Sequence, residues 1–172
     1  MRWAVLTALL LLRSGCSIPP PAPAPSPPGT AAASETDDPL ASINRKIFRL
    51  VNRQRRLHGV RELEWNNALA EQARLQSADM VERGFFEHDN PAHGPLAKRL
   101  SAAGIRWARC AENIFREQGM EDPADAAVEG WMRSPGHRAI LLDPLFVETG
   151  IGAAISPDTE YFITQDFVLP PM

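Results

Sequence analysis

Cysteine, tyrosine and long apolar runs are scarce in this 172-residue sequence. Two cysteines, Cys16 and Cys110, are too few for a disulfide scaffold. No charge sign dominates: 18 Lys and Arg stand against 21 Asp and Glu, a net charge of −3. That balance removes the basic footprint by which a nucleic-acid partner is recognised. No H-E-x-x-H, paired C-x-x-C or G-x-S-x-G occurs, so no local motif specifies a chemistry. Internal repeats are also missing. The apolar stretch Trp3 to Leu12, interrupted by Thr7, would span about 15 Å as a helix, roughly half of a bilayer's hydrocarbon core, which is too short to cross it. The 44% apolar content still supports one packed domain.

The short apolar stretch follows Arg2 and has the form of a signal-peptide h-region, which assigns residues 1–15 to a signal peptide. Ser14 and Gly15 then precede Cys16, an order that resembles a bacterial lipoprotein signal with Cys16 as the lipidated residue. Arg13 departs from that pattern, which has an apolar residue three places before the cysteine, and ordinary cleavage to a secreted form is the alternative. Seven prolines between Pro19 and Pro28 cannot pack into a core. They favour extended polyproline at about 3.1 Å per residue, so residues 16–38 read as a disordered tether. The expected product is an exported cell-envelope protein, held to the membrane through its lipid anchor.

Residues 39–172 carry the globular pattern. Ile43, Ile47, Leu50, Val51 and Leu57 keep one helical face, with Gly59 at its end. Arg53, Arg55 and Arg56 read as the solvated side of that helix. After a short extended piece through Leu63 and Trp65, Asn66 caps a second helix that stops at Gly84. Small residues along it favour close approach of another element. A third helix opens at Pro95 and stops at Gly104, and Asp122-Pro123 begins a fourth. Val147 to Ile155 and Tyr161 to Val168 are strands, turned at Pro157-Asp158. Helices followed by paired strands predict an α+β domain with antiparallel strands. Trp65, Trp107 and Trp131 are expected to fill the core.

Of the four histidines, His58 sits at a helix end, where a cation meets the dipole. His88, His93 and His137 fall in loop-like segments, where functional groups gather. Ordered blocks surround them: Phe85-Phe86-Glu87-His88-Asp89-Asn90-Pro91, Ala111-Glu112-Asn113-Ile114, Gly130-Trp131-Met132-Arg133-Ser134-Pro135-Gly136-His137-Arg138, Phe146-Val147-Glu148-Thr149-Gly150-Ile151-Gly152 and Tyr161-Phe162-Ile163-Thr164-Gln165-Asp166-Phe167. Together, from Leu40 to Val168, they resemble the bacterial branch of the CAP superfamily of SCP-like extracellular domains. That superfamily includes cysteine-rich secretory, antigen 5 and pathogenesis-related proteins. The resemblance implies an α-β-α sandwich, a central antiparallel sheet with helices on both faces. It also implies a surface cavity built from His88, Glu112 and His137. Three positions depart from the pattern. Ser134-Pro135 stands where a second acidic residue follows the tryptophan block, Ala111 replaces a glycine, and Ile140 replaces an asparagine.

Two imidazoles and a carboxylate suit a divalent cation, zinc above all, with a fourth position open. They suit equally a buried network in which Glu112 accepts hydrogen bonds from both rings. Two imidazoles in one site resist joint protonation, so their pKa values fall unless Glu112 offsets this. Cys110, two residues before Glu112, reads as a buried apolar thiol, with a soft metal ligand or an intermolecular disulfide as the sharper alternative. With no recognised nucleophile or general base, the leading reading is a non-enzymatic binding module. Its ligand is a small apolar or amphipathic molecule (a lipid among them), a divalent metal or a protein. A metal-assisted hydrolase of envelope or extracellular substrates is the alternative, and a surface structural protein without ligand the third.

Overall fold

A computed structural model of the protein describes residues 38–172. The signal peptide, Cys16 and nearly all of the tether lie outside those residues. The elements run in the order α1 (Pro39–Leu57), β1 (Glu64–Trp65), α2 (Asn67–Arg83), α3 (Leu96–Ala102), β2 (Arg109–Gln118), α4 (Pro123–Arg133), α5 (Pro135–Leu141), β3 (Glu148–Ile155) and β4 (Glu160–Leu169). The helix starts are where capping chemistry places them. The side chains of Asp38, Asn66 and Asp122 each accept from backbone N–H groups of the first turn of α1, α2 and α4. Gly84 closes α2 in the left-handed conformation that favours glycine.

The sheet order is β1-β3-β4-β2. β4 is central and pairs antiparallel with both β2 and β3. Residues 162–168 are buried without a break because both faces are covered. Alternation along β4 sorts the core. Ile163 and Phe167 meet Ile47 and Val51 of α1, Ala127 and Trp131 of α4 and Leu141 of α5. Phe162 and Val168 meet the other layer, with Met80 and Leu69 of α2 and Leu100 of α3. This is the expected α-β-α sandwich. Close approach of α2 to the sheet depends on glycine: a Cβ on Gly150 would lie 2.0 Å from the Ala70 nitrogen, and one on Gly152 2.0 Å from the Arg74 nitrogen.

Four sequence expectations need correction. β1 pairs with β3 in parallel, so the sheet is not wholly antiparallel. β2 was not expected, because Arg109, Glu112, Arg116 and Glu117 obscure its alternation, yet it pairs with β4 over its whole length. His137 lies on helix α5 and not on a loop; Pro135 at the first position preorganises this turn. Arg55 is not solvated. It is fully buried and donates through Nε to the Arg61 carbonyl (2.7 Å), through Nη1 to those of Leu141 (2.7 Å) and Asp143 (3.1 Å), and through Nη2 to that of Phe146 (3.2 Å). Arg53 and Arg56 keep the expected exposure. Trp131 is buried in the core, whereas Trp65 and Trp107 pack against its margins half-buried.

Candidate functional site

The site grows from the pairing of β2 with β4. Their register sets Glu112 opposite Asp166 on the face that α2 and α3 cover. The Glu112 side chain is 3% exposed, and a carboxyl group so placed needs hydrogen-bond partners. Both of its oxygens have one. Oε1 meets Nδ1 of His88 at 2.9 Å, and Oε2 accepts from Nη2 of Arg99 at 2.5 Å. Arg99 comes from α3 and is itself buried, while the His88 ring is 54% exposed.

The loop that carries His88 is held from beneath. Gln76 of α2 donates to the Glu87 carbonyl (3.0 Å). Asn90 donates to Gln76 (2.9 Å) and Asp79 (2.7 Å) and accepts from the N–H groups of Ala92 (2.9 Å) and His93 (3.1 Å). Every polar atom of the buried Asn90 side chain is therefore used, which makes the loop's conformation specific. His137 approaches from α5, where its backbone carbonyl accepts from Asn113 (3.2 Å).

The two imidazoles are affected in opposite directions. The Glu112 hydrogen bond and charge raise the His88 pKa against the effect of burial. Burial first, and then the nearby His88, lowers that of His137. The sequence expectation of a joint fall thus splits, because Glu112 engages one ring only. Asp166 is wholly buried, with both oxygens unpartnered. Burial, followed by the Glu112 charge, pushes its carboxyl well above the usual range. Arg99 Nε and Nη1 are likewise buried without a hydrogen-bond partner.

A model of the CAP, or cysteine-rich secretory protein, family matches residues 48–167, the stretch that contains all of these residues. The chain belongs to the CAP family. This CAP domain is 30% identical over 129 residues to the Bacillus subtilis protein YkwD, covering 73% of this chain and 49% of the relative. It is 36% identical over 124 residues to the B. subtilis membrane protein YlbC, covering 72% and 34%. The chain thus spans half or less of the length of these curated relatives. A crystal structure of an extracellular protein containing a SCP domain from Bacillus anthracis superposes with a TM-score of 0.64 at 33% identity, over 74% of this chain and 40% of that one.

The CAP domain brings His88 and Glu112 into contact and sets His137 near enough to feel the His88 charge. Glu112 is committed to Arg99 and His88, and among the described residues no group of three or more His, Cys, Asp and Glu is placed to hold an ion. Cys110 packs half-buried against the cluster of Leu69, Leu96, Leu100 and Val168, where burial raises its thiol pKa. His58 bonds the Gln54 carbonyl (2.8 Å) at the end of α1. His93 stands apart, 3.5 Å from Asp79.

Sequence reasoning missed Arg99 and Asp166. Arg99 carried no signal, since one arginine on a short helix looks solvated. Asp166 carried one: an aspartate in a strand beside Phe167 and Val168, where an unpaired charge is costly. It supplies a second carboxyl to this CAP domain from β4, although Ser134-Pro135 fills the position after the tryptophan block. Beside the site, between α2 and α3, a cavity of about 410 Å³ is lined by Leu75, Gln76, Asp79, His93, Lys98 and Arg99 among others. Arg99 belongs both to that cavity and to the Glu112 pair.

Proposed function

We propose that this CAP domain is an exported, membrane-tethered binding module whose ligand is taken by the face formed by His88, Glu112 and His137 together with the adjoining α2–α3 cavity. The observation that carries this reading is the double engagement of Glu112. A carboxylate fixed by a guanidinium on one oxygen and an imidazole on the other is a rigid anchor and a poor general base. The cavity suits a small amphipathic ligand, since Leu75, Ala102 and Ala103 give apolar walls and Gln76, His93 and Lys98 polar ones. Export is supported by the relatives: the B. anthracis protein is described as extracellular and YlbC as a membrane protein. The order Ser14-Gly15-Cys16 after an apolar decamer supports lipidation at Cys16. Metabolic labelling with a radioactive fatty acid is expected to mark the wild type and not Cys16→Ser.

Titration calorimetry at neutral pH with sodium octanoate and, separately, zinc chloride tests the site. The heat of octanoate binding is expected in the wild type and reduced in the His88→Ala, His137→Ala double variant, with zinc giving no heat that depends on these residues. Zinc binding that disappears in the double variant would replace this reading with a metal-dependent one. Octanoate binding that ignores both histidines, or none at all, would remove them from ligand recognition.

A further inference from the structure

One side of α1 meets the sheet: Ile47 and Val51 are fully buried in one cluster with Ile163 and Phe167 of β4. At about 100° per residue, Arg45, Arg49, Arg53 and Arg56 fall on the opposite side within an arc of about 80°. All four are exposed, in a row about 16 Å long. α1 contains no acidic residue, although the whole chain has a net charge of −3. Its other cations are engaged: Lys46 pairs with Asp122 and Asp125, and Arg55 donates to backbone carbonyls. Arg56 reaches Glu62 at 2.6 Å, whereas Arg49 and Arg53 have no charged partner among the described residues. Like charges three and four positions apart on a helix repel, so this row works against the stability of α1. Negative charge outside the domain would relieve it.

From this row we infer that the outward face of α1 docks on the anionic headgroups of a phospholipid bilayer, with the α2–α3 cavity turned away from the membrane. The inference rests on the membrane tether proposed above. Charge complementarity selects the partner: guanidinium groups take phosphate oxygens in pairs, and a row of them on one straight helix presents its charge along a line that a flat surface can meet. Shape argues against a small anion, because Arg49, Arg53 and Arg56 line neither of the two main cavities of the domain. α1 also follows the tether directly in the chain. An anchored domain stays at high effective concentration beside the bilayer, so a weak attraction from a few arginines suffices to orient it. The sandwich then fixes which side faces outward. α1 shares one face of the sheet with α4 and α5, whereas α2, α3 and the cavity between them lie on the other.

The test uses the exported chain from residue 17 onward, without its lipid, and vesicles of phosphatidylcholine alone or with about one third phosphatidylglycerol. Sedimentation is expected to show binding to the anionic vesicles only, weakening as salt shortens the reach of the charges. The double variant Arg49→Glu, Arg53→Glu should bind at least about tenfold more weakly. Its fold is not at risk, since each glutamate gains an arginine three or four positions away, and its melting temperature should not fall. Arg106→Glu, Arg133→Glu makes the same change of net charge at exposed positions off α1 and should bind as the wild type does. With a spin label on the lipid headgroup, the amide signals of Arg49 and Arg53 should broaden and those of Leu75 and Lys98 at the cavity should not. Equal binding to neutral vesicles, no binding at low salt, or equal losses in the two double variants would overturn the proposal. Broadening at Leu75 and Lys98 instead would overturn the orientation. Because the chain tested carries no lipid, these outcomes are independent of whether Cys16 takes up fatty acid and of whether octanoate binds.

Discussion

His88 and His137 are the same residue type in one site, yet the protein treats their charged forms oppositely. His88 gains a carboxylate on folding, so its pKa rises and its contribution to stability is present below the ordinary histidine value and lost as pH climbs through the raised one. His137 gains only burial and a like-charged neighbour, so its contribution is present above the ordinary value and lost as pH falls through the lowered one. Imidazole proton shifts followed against pH should therefore show His88 titrating above His137. Glu112→Gln should bring the His88 midpoint down while moving His137 much less. The reverse order would mean that Glu112 does not hold His88 in solution. Arg99 and Asp166 are legible at this scale only in part. An aspartate directly before Phe167 and Val168 in a strand signals a special environment, but nothing about Arg99 in the sequence distinguishes it from the solvated arginines around it.

Among the elements, those with strong local chemistry were readable and those made by pairing were not. Asn66 and Asp122-Pro123 mark helix starts because a short side-chain acceptor and a proline without N–H suit the first turn alone. β2 has no such mark; it becomes a strand because β4 offers ten register partners, with Arg109, Arg116 and Glu117 nearer the surface and Glu112 buried against Arg99 and His88. Arg55 is the sharpest case. Its neighbours Arg53 and Arg56 point to solvent, one helical position decides otherwise, and the guanidinium then ties α1 to the end of α5 and to the 143–146 turn. Arg55→Met keeps much of the volume but orphans buried carbonyls, and should cost about 3 kcal/mol or more of unfolding free energy in a urea titration. A loss below about 1 kcal/mol, within the range of ordinary surface substitutions, would show that those carbonyls find water instead. Arg55→Lys is expected to recover little, because a lysine cannot reach acceptors in several directions with one planar group.

For the molecule as a whole, stability should reside in residues 38–172. Proline density before that point argues against packing, so a chain beginning at Asp38 is expected to melt within a degree or two of full length. Asp38 must be kept, since its carboxylate accepts from the Leu40 N–H (2.9 Å) and an N-cap is worth about 1 kcal/mol. A fall of several degrees on removing residues 1–37 would show that the segment contributes to the fold. Sequence alone determined the α+β class and most helix starts of this protein, because apolar periodicity, caps and turns are local properties, and the ordered blocks from Leu40 to Val168 implied the layering through their resemblance to the CAP family. It also brought His88, Glu112 and His137 forward as one set. Tertiary structure alone decided what that set is. The register of β2 against β4 put Asp166 beside Glu112, and the packing of α3 delivered Arg99 to the same carboxylate. A carboxylate's role depends on which charges reach it through space, and residues distant in the chain carry no local mark of that meeting.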